Sequence, residues 1–195
     1  PRLVSSAASD VYKRQIADSG LKEEEVSNFK TGLVAGSGGP STSSMLRSFD
    51  TAREKNPKRV GPYMVPRCMS STVSANLANS FKIKGLNFSI TSACSTSAHC
   101  ITAGTDAIRN GSQNIIFAGG GEEIHWSLSV LFDAMAALSS KYNHDPKTAS
   151  RPYDKNRDGF VISGGGGIIV LEEHDHAISR GAKVYGEILG YGANS

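Results

Sequence analysis

Cys94 stands in a run of small residues, Ser92-Ala93-Cys94-Ser95-Thr96-Ser97-Ala98, where two kinds of residue pattern meet. Before it, Leu86-Asn87-Phe88-Ser89-Ile90-Thr91 alternates apolar and polar residues as a half-buried strand does. After it, Ser95 to Arg109 has helical spacing, with small residues on the face next to the strand. A cysteine at such a turn lies beside unpaired backbone N–H groups and the positive end of a helix dipole. Both favour thiolate over thiol and bring a side chain of reference pKa ~8.5 towards neutrality. The same N–H groups can stabilise the oxyanion that forms when sulfur attacks a thioester carbonyl. Small neighbours leave room for an acyl chain passing close to the turn.

The competing reading is that a cysteine is usually buried and inert. Cys68, on a helix face, and Cys100, beyond the turn, are read that way. His99 follows Cys94 by five residues, which turns it ~140° away around a helix. It is read as structural.

The elements that must position Cys94 alternate along the chain. Thr31-Gly32-Leu33-Val34-Ala35-Gly36 predicts a buried strand leaving into the loop Ser37-Gly38-Gly39-Pro40-Ser41. Helices are predicted over Ser43–Glu54, Cys68–Phe81 and Leu128–Leu138, and strands over Asn114–Ala118, Phe160–Glu172 and Lys183–Leu189. The alternation predicts a layered α/β protein with a largely parallel, buried sheet. Pro1 to Gln15 has no sustained apolar period and is expected to be non-native or disordered, leaving residues 16–195 as the folded unit.

Composition narrows the function classes. Of 195 residues, 38% are hydrophobic and 20% charged, with 21 glycines, as in a globular protein with many tight turns. A formal charge of +3 is too small a bias to imply a nucleic-acid or membrane partner. Three cysteines without a CxxC pair argue against a disulfide framework and a thiolate zinc site, and fit a reducing cytoplasm. No apolar run approaches the ~20 residues of a membrane span, and the N-terminus lacks the regions of a signal peptide.

Ile90-Thr91-Ser92-Ala93-Cys94-Ser95-Thr96-Ser97-Ala98-His99-Cys100 closely resembles the nucleophile segment of β-ketoacyl-acyl carrier protein synthases, in particular the type I enzymes of bacterial fatty acid synthesis. Val34 to Gly39, Phe117 to Glu123, Phe132-Asp133-Ala134-Met135 and Arg157 to Gly167 resemble that family in the same order. The resemblance covers about Ile16 to Ser195. It implies a thiolase-like fold, layered α/β/α/β/α when two similar halves are present, of which this chain resembles mostly the N-terminal half. The implied chemistry is covalent catalysis. An acyl group passes from acyl carrier protein to the cysteine, and a decarboxylating Claisen condensation with malonyl-acyl carrier protein gives a 3-oxoacyl product and CO2. No metal or other cofactor is implied, because the phosphopantetheine arrives on the carrier protein.

Residue by residue, the resemblance makes Cys94 the nucleophile, with its backbone N–H as one oxyanion donor, and Phe160 an aromatic beside the catalytic centre. Gly38, Met69, Ala93 and Phe132 fall where the family lines its acyl pocket. Lys55, Lys58 and Arg59 fall where it offers a basic patch to acyl carrier protein. The strand Asn87 to Thr91 corresponds to one that pairs across the two-fold axis of a homodimer. The family also uses two histidines and a lysine that no segment here resembles, so the chain is expected to be a fragment unable to complete the reaction alone.

Other readings are a polyketide ketosynthase, a thiolase-type enzyme, or a non-catalytic partner subunit that binds carrier protein. Cys94 counts against the last, because such subunits replace the cysteine. Gly164 to Gly167 lack the spacing and Lys-Ser/Thr of a phosphate-binding loop, and Tyr142-Asn143-His144-Asp145 offers no third metal ligand.

Overall fold

Burial at one face of a strand requires a covering layer, and here both faces of the central strands are buried. The computed structural model describes residues 4–194. The helices are α1 (Val4–Ser19), α2 (Glu23–Val26), α3 (Thr42–Glu54), α4 (Met64–Cys68), α5 (Thr72–Ser80), α6 (Thr96–Arg109), α7 (Trp126–Ala134) and α8 (His174–Ser179). The strands are β1 (Thr31–Gly36), β2 (Asn87–Phe88), β3 (Ile115–Glu122) and β4 (Gly165–Glu172). Spatial order in the sheet is β2-β1-β3-β4. β1 lies parallel to β2 and to β3, with Thr31 opposite Ile115 and Gly36 opposite Gly120. β4 is antiparallel to β3, because the chain re-enters at the end it left, with Glu122 opposite Gly165.

Side chains alternate across a strand, and the two cores follow that alternation. Leu33, Ala35, Ile115 and Phe117 face one layer with Tyr12, Val73 and Leu77, from α1 and α5. Val34, Ile116 and Ala118 face the other with Cys100 and Ala107 of α6. The described chain is thus a helix–sheet–helix sandwich with α6 as one cover. Among the described residues no helix is long and apolar enough to cross a membrane.

Four expectations change. The segment through Gln15 is helical from Val4 onward rather than disordered, and Tyr12 is fully buried between the rings of Phe81 and Phe117, at 4.1 and 4.2 Å between centroids. Its short stripe of Val11, Tyr12 and Ile16 was too brief to register as a period. The helix expected over Cys68–Phe81 breaks at Met69, whose backbone is extended (φ −80°, ψ 135°). There the Thr72 hydroxyl donates to the Pro66 carbonyl and the Ser41 N–H to the Cys68 carbonyl, taking acceptors a continuous helix would use. The strand over Leu86–Thr91 is paired only at Asn87–Phe88, since the Ser89 hydroxyl donates to the Ala35 carbonyl (2.6 Å) in place of a ladder bond. Lys183–Leu189 is not a strand: Arg109 takes the carbonyls of Ile188 and Leu189 at 3.0 Å each.

Tyr12 carries a cost. Its hydroxyl is buried with no hydrogen-bond partner among the described residues, and burial drives its pKa upward. Tyr12→Phe removes an unsatisfied polar atom while keeping the stacked rings, so it should stabilise the fold by about 1 kcal/mol. Urea unfolding midpoints of the two proteins measure this.

Candidate functional site

The site begins where β1 and β3 end. A Cβ on Gly36 would lie 2.0 Å from the carbonyl oxygen of Ile90, so only glycine lets the strand end touch the backbone leading to Cys94. Beyond Ile90 the chain turns through Ala93–Ser95, a single 3-10 turn, into α6. Ala93 has φ +50°, a left-handed conformation that costs a non-glycine residue roughly 1–2 kcal/mol. Strain of this kind persists only where the surroundings hold it. Here they do: the Ser95 N–H donates to the Ser92 carbonyl (3.1 Å), and the Ser92 hydroxyl is bonded to Nδ1 of His99 (2.7 Å). Cys94 itself is exposed.

The other two cysteines are less accessible than Cys94. Cys100 is fully buried, and burial pushes its thiol pKa up against backbone contacts from Ile90 and Gly36 that lower it. Cys68 is half-buried at the end of α4. His99 braces the turn through Ser92.

Gly38 comes up against the turn, since a Cβ there would lie 2.9 Å from both the Ala93 carbonyl oxygen and a Glu122 carboxylate oxygen. Glu122 holds this loop by accepting from the Gly38 N–H and from the Ser37 hydroxyl, the latter at 2.9 Å. Its neighbour Glu123 points to another partner set: the N–H of Ser43 (3.1 Å) and the hydroxyls of Ser43 (2.8 Å), Ser41 (2.9 Å) and Thr42 (3.3 Å). Desolvation raises the Glu123 pKa, but these donors together outweigh it and hold the carboxyl below its ordinary value. The two glutamates thus fasten the loop after β1 and the start of α3. In the sequence the two glutamates stand out only as the end of the family-like run Phe117 to Glu123. The signal was there in a second form, as a cluster of hydroxyl residues at Ser41 to Ser44 needing an acceptor.

The other expected pocket residues fall into separate groups. Phe132 and Phe160 meet edge to face, 5.9 Å between ring centroids and 79° between planes. Phe160 is fixed by its N–H donating to the Ala137 carbonyl (2.8 Å) and its carbonyl accepting from Ser139 N–H (2.9 Å). Asp158 caps the same turn; the Ser139 hydroxyl foremost, then the N–H groups of Lys141 and Ser140, bring its carboxyl down to about 2. Met69 lines a cavity of about 710 Å³ between α3, α4 and α5, with Ser41, Ser43, Glu123, His125 and Trp126 also on its wall. Cys94 is not among the cavity's lining residues. Lys55, Lys58 and Arg59 are exposed at the end of α3 and in the Pro57–Arg59 turn.

The fold and this turn define a class. The Beta-ketoacyl synthase, N-terminal domain, family model matches residues 5–177. The chain is 50% identical over its whole length to 3-oxoacyl-acyl-carrier-protein synthase 1 of Haemophilus influenzae, covering 49% of that protein. It is 54% identical to the synthase of the same name from Escherichia coli, over 94% of this chain and 46% of that one. Among solved structures, a type II PKS acyl-carrier protein in complex with its ketosynthase superposes with TM-score 0.83 at 25% identity, over 94% of this chain and 47% of that one. The chain belongs to the beta-ketoacyl synthase family, has that family's thiolase-like α/β architecture, and spans about half the length of the curated relatives it matches.

Two outcomes test this geometry. Gly36→Ala places a methyl group against backbone that no side-chain rotation can clear, so it should cost about 2 kcal/mol or more and displace the Cys94 turn. Thermal unfolding and the rate of Cys94 labelling read the two effects. For Glu123, the folded pKa lies below the unfolded one, so its contribution is present in full above about pH 5 and is lost as pH falls through the folded value. The stability difference between wild type and Glu123→Gln should therefore shrink as pH is lowered from 6 towards about 3, as urea unfolding at a series of pH values would show.

Proposed function

We propose that the whole protein is a β-ketoacyl-acyl carrier protein synthase of fatty acid biosynthesis, and that Cys94 accepts the growing acyl chain. The observation that carries this is an exposed cysteine in a strained turn, backed by α6 and flanked by glycine loops, within the segment matched by the family. In the first step the Cys94 sulfur attacks the thioester carbonyl of acyl carrier protein. A new C–S bond forms, the old one breaks, and the thiol proton of Cys94 ends on the departing phosphopantetheine thiol. In the second, malonyl-acyl carrier protein loses CO2 and the resulting carbanion attacks the Cys94 thioester, giving a 3-oxoacyl product and returning the thiolate. This chain's residues bear on the first step; the family's histidines and lysine, which no segment here resembles, serve the second.

Roles for the remaining residues follow the same reading. Phe160, braced by Phe132, shields the reaction centre, and Gly38, Ala93, Met69 and Phe132 border the acyl chain. Lys55, Lys58 and Arg59 form an exposed basic stretch suited to an acidic carrier protein. The ketosynthase complex with an acyl-carrier protein supports that partner. β2 is an edge strand with Leu86 and Phe88 part-exposed, which supports pairing in a homodimer. The cytoplasm is the proposed compartment. The fatty acid reading is preferred to a polyketide one because the 50–54% identical relatives are 3-oxoacyl-acyl-carrier-protein synthases.

Incubating the protein with an acyl-acyl carrier protein and measuring intact mass tests the nucleophile. The expected result is one acyl adduct that is absent in Cys94→Ala. Acylation that survives the substitution, or that spreads over Cys68 and Cys100, would overturn it.

A further inference from the structure

Resting on the reading of Cys94 as acyl acceptor, we infer that the Thr96 hydroxyl is a positioning group that aims the Cys94 backbone N–H at the oxyanion of the acyl-transfer step. The relevant unit is the peptide joining Ala93 to Cys94. Its carbonyl oxygen accepts two bonds from one residue, the Thr96 N–H and the Thr96 hydroxyl, the latter at 2.8 Å. A peptide group is planar and trans, so its N–H points opposite to its C=O. Holding the Ala93 carbonyl towards α6 turns the Cys94 N–H away from the helix. That N–H has no acceptor among the described residues, backbone or side chain, and is free to donate to a ligand.

The same hydroxyl also accepts the Ser92 N–H at 2.9 Å. One oxygen therefore ties down both residues before Cys94. Thr96 is only 2% exposed, so water does not compete for these bonds. Its methyl Cγ2 lies against β1, 3.0 Å from where a Cβ on Gly36 would be, and this contact together with β-branching restricts the hydroxyl to one direction. The clamp is needed because Ala93 is left-handed. Rotation of Ala93 to an ordinary φ would relieve the strain and swing the Cys94 N–H off its line.

The step served is the one in which the Cys94 sulfur bonds to the acyl carbonyl carbon and the carbonyl oxygen gains negative charge before the leaving thiolate departs. An N–H donor aimed at the carbonyl oxygen helps this reaction directly, whereas an alkylation forms no oxyanion and feels the turn only through its effect on the thiolate. That difference separates aiming from mere support. Wild type, Thr96→Val and Thr96→Ser would each be reacted with a medium-chain acyl-N-acetylcysteamine thioester and, separately, with iodoacetamide. Modification of Cys94 would be followed by site-resolved mass spectrometry below each protein's unfolding transition.

Thr96→Val, which keeps the shape and loses the hydroxyl, should slow thioester acylation roughly 10- to 100-fold while changing alkylation by less than about threefold, and Thr96→Ser should restore acylation. If Thr96→Val does not fold, Thr96→Ala is read the same way. Equal slowing of both reactions, no slowing of either, or a serine variant as slow as valine would overturn the inference. A wild type that is alkylated at Cys94 but never acylated would instead overturn the nucleophile reading, and this inference with it.

Discussion

The close approach of three backbones at one end of the sheet is the constraint on which the rest of the site depends. β1 ends on Gly36, beside the Ile90 carbonyl on one side and opposite Gly120 of β3 on the other. A Cβ on Gly120 would lie 2.5 Å from the Gly36 carbonyl oxygen. With no side chains between them, β1, β3 and the segment before Cys94 lie so near one another that the turn has a single place to go. Backbone contact substitutes for the side-chain packing that usually sets such a corner.

From that corner the carboxylates of Glu122 and Glu123 diverge, as neighbours on an extended chain must. One secures Ser37 and Gly38, the other Ser41 to Ser43. The loop between them has little apolar content of its own, so its order comes from hydrogen bonds to two charged acceptors on the rigid end of β3. Gly38 reaches Ala93 by this route, and α3 is launched towards the basic residues at its far end.

Much of this was legible in the residues. The alternation of Leu86 to Thr91, the small residues after it and the placement of Cys94 between them located the turn, and the helical period of α6 was clear. What escaped were features set by side-chain hydrogen bonds rather than by hydrophobic period. Ser89 shortened β2, and the bonds from Thr72 and Ser41 broke a helix at Met69. The clamp of Thr96 on Ala93 and the separate duties of the adjacent glutamates are likewise invisible to periodicity, because a hydroxyl or carboxylate can serve any acceptor or donor the fold brings near. A strand within Phe160–Glu172 was legible, but its antiparallel direction was not, because strand direction follows the route of the preceding connection, which spacing does not encode.

The pairing of β1 with β3 also orders events in time. Gly38 and Glu122 are 84 residues apart in the chain, and the Cys94 turn lies inside the loop that their contact closes. Contacts of such sequence separation form late, since their loop entropy must be met before they contribute. The Cys94 turn therefore cannot mature as a local motif. Cys94 is held in its place only once β1 and β3 have paired and Gly38 has met Glu122.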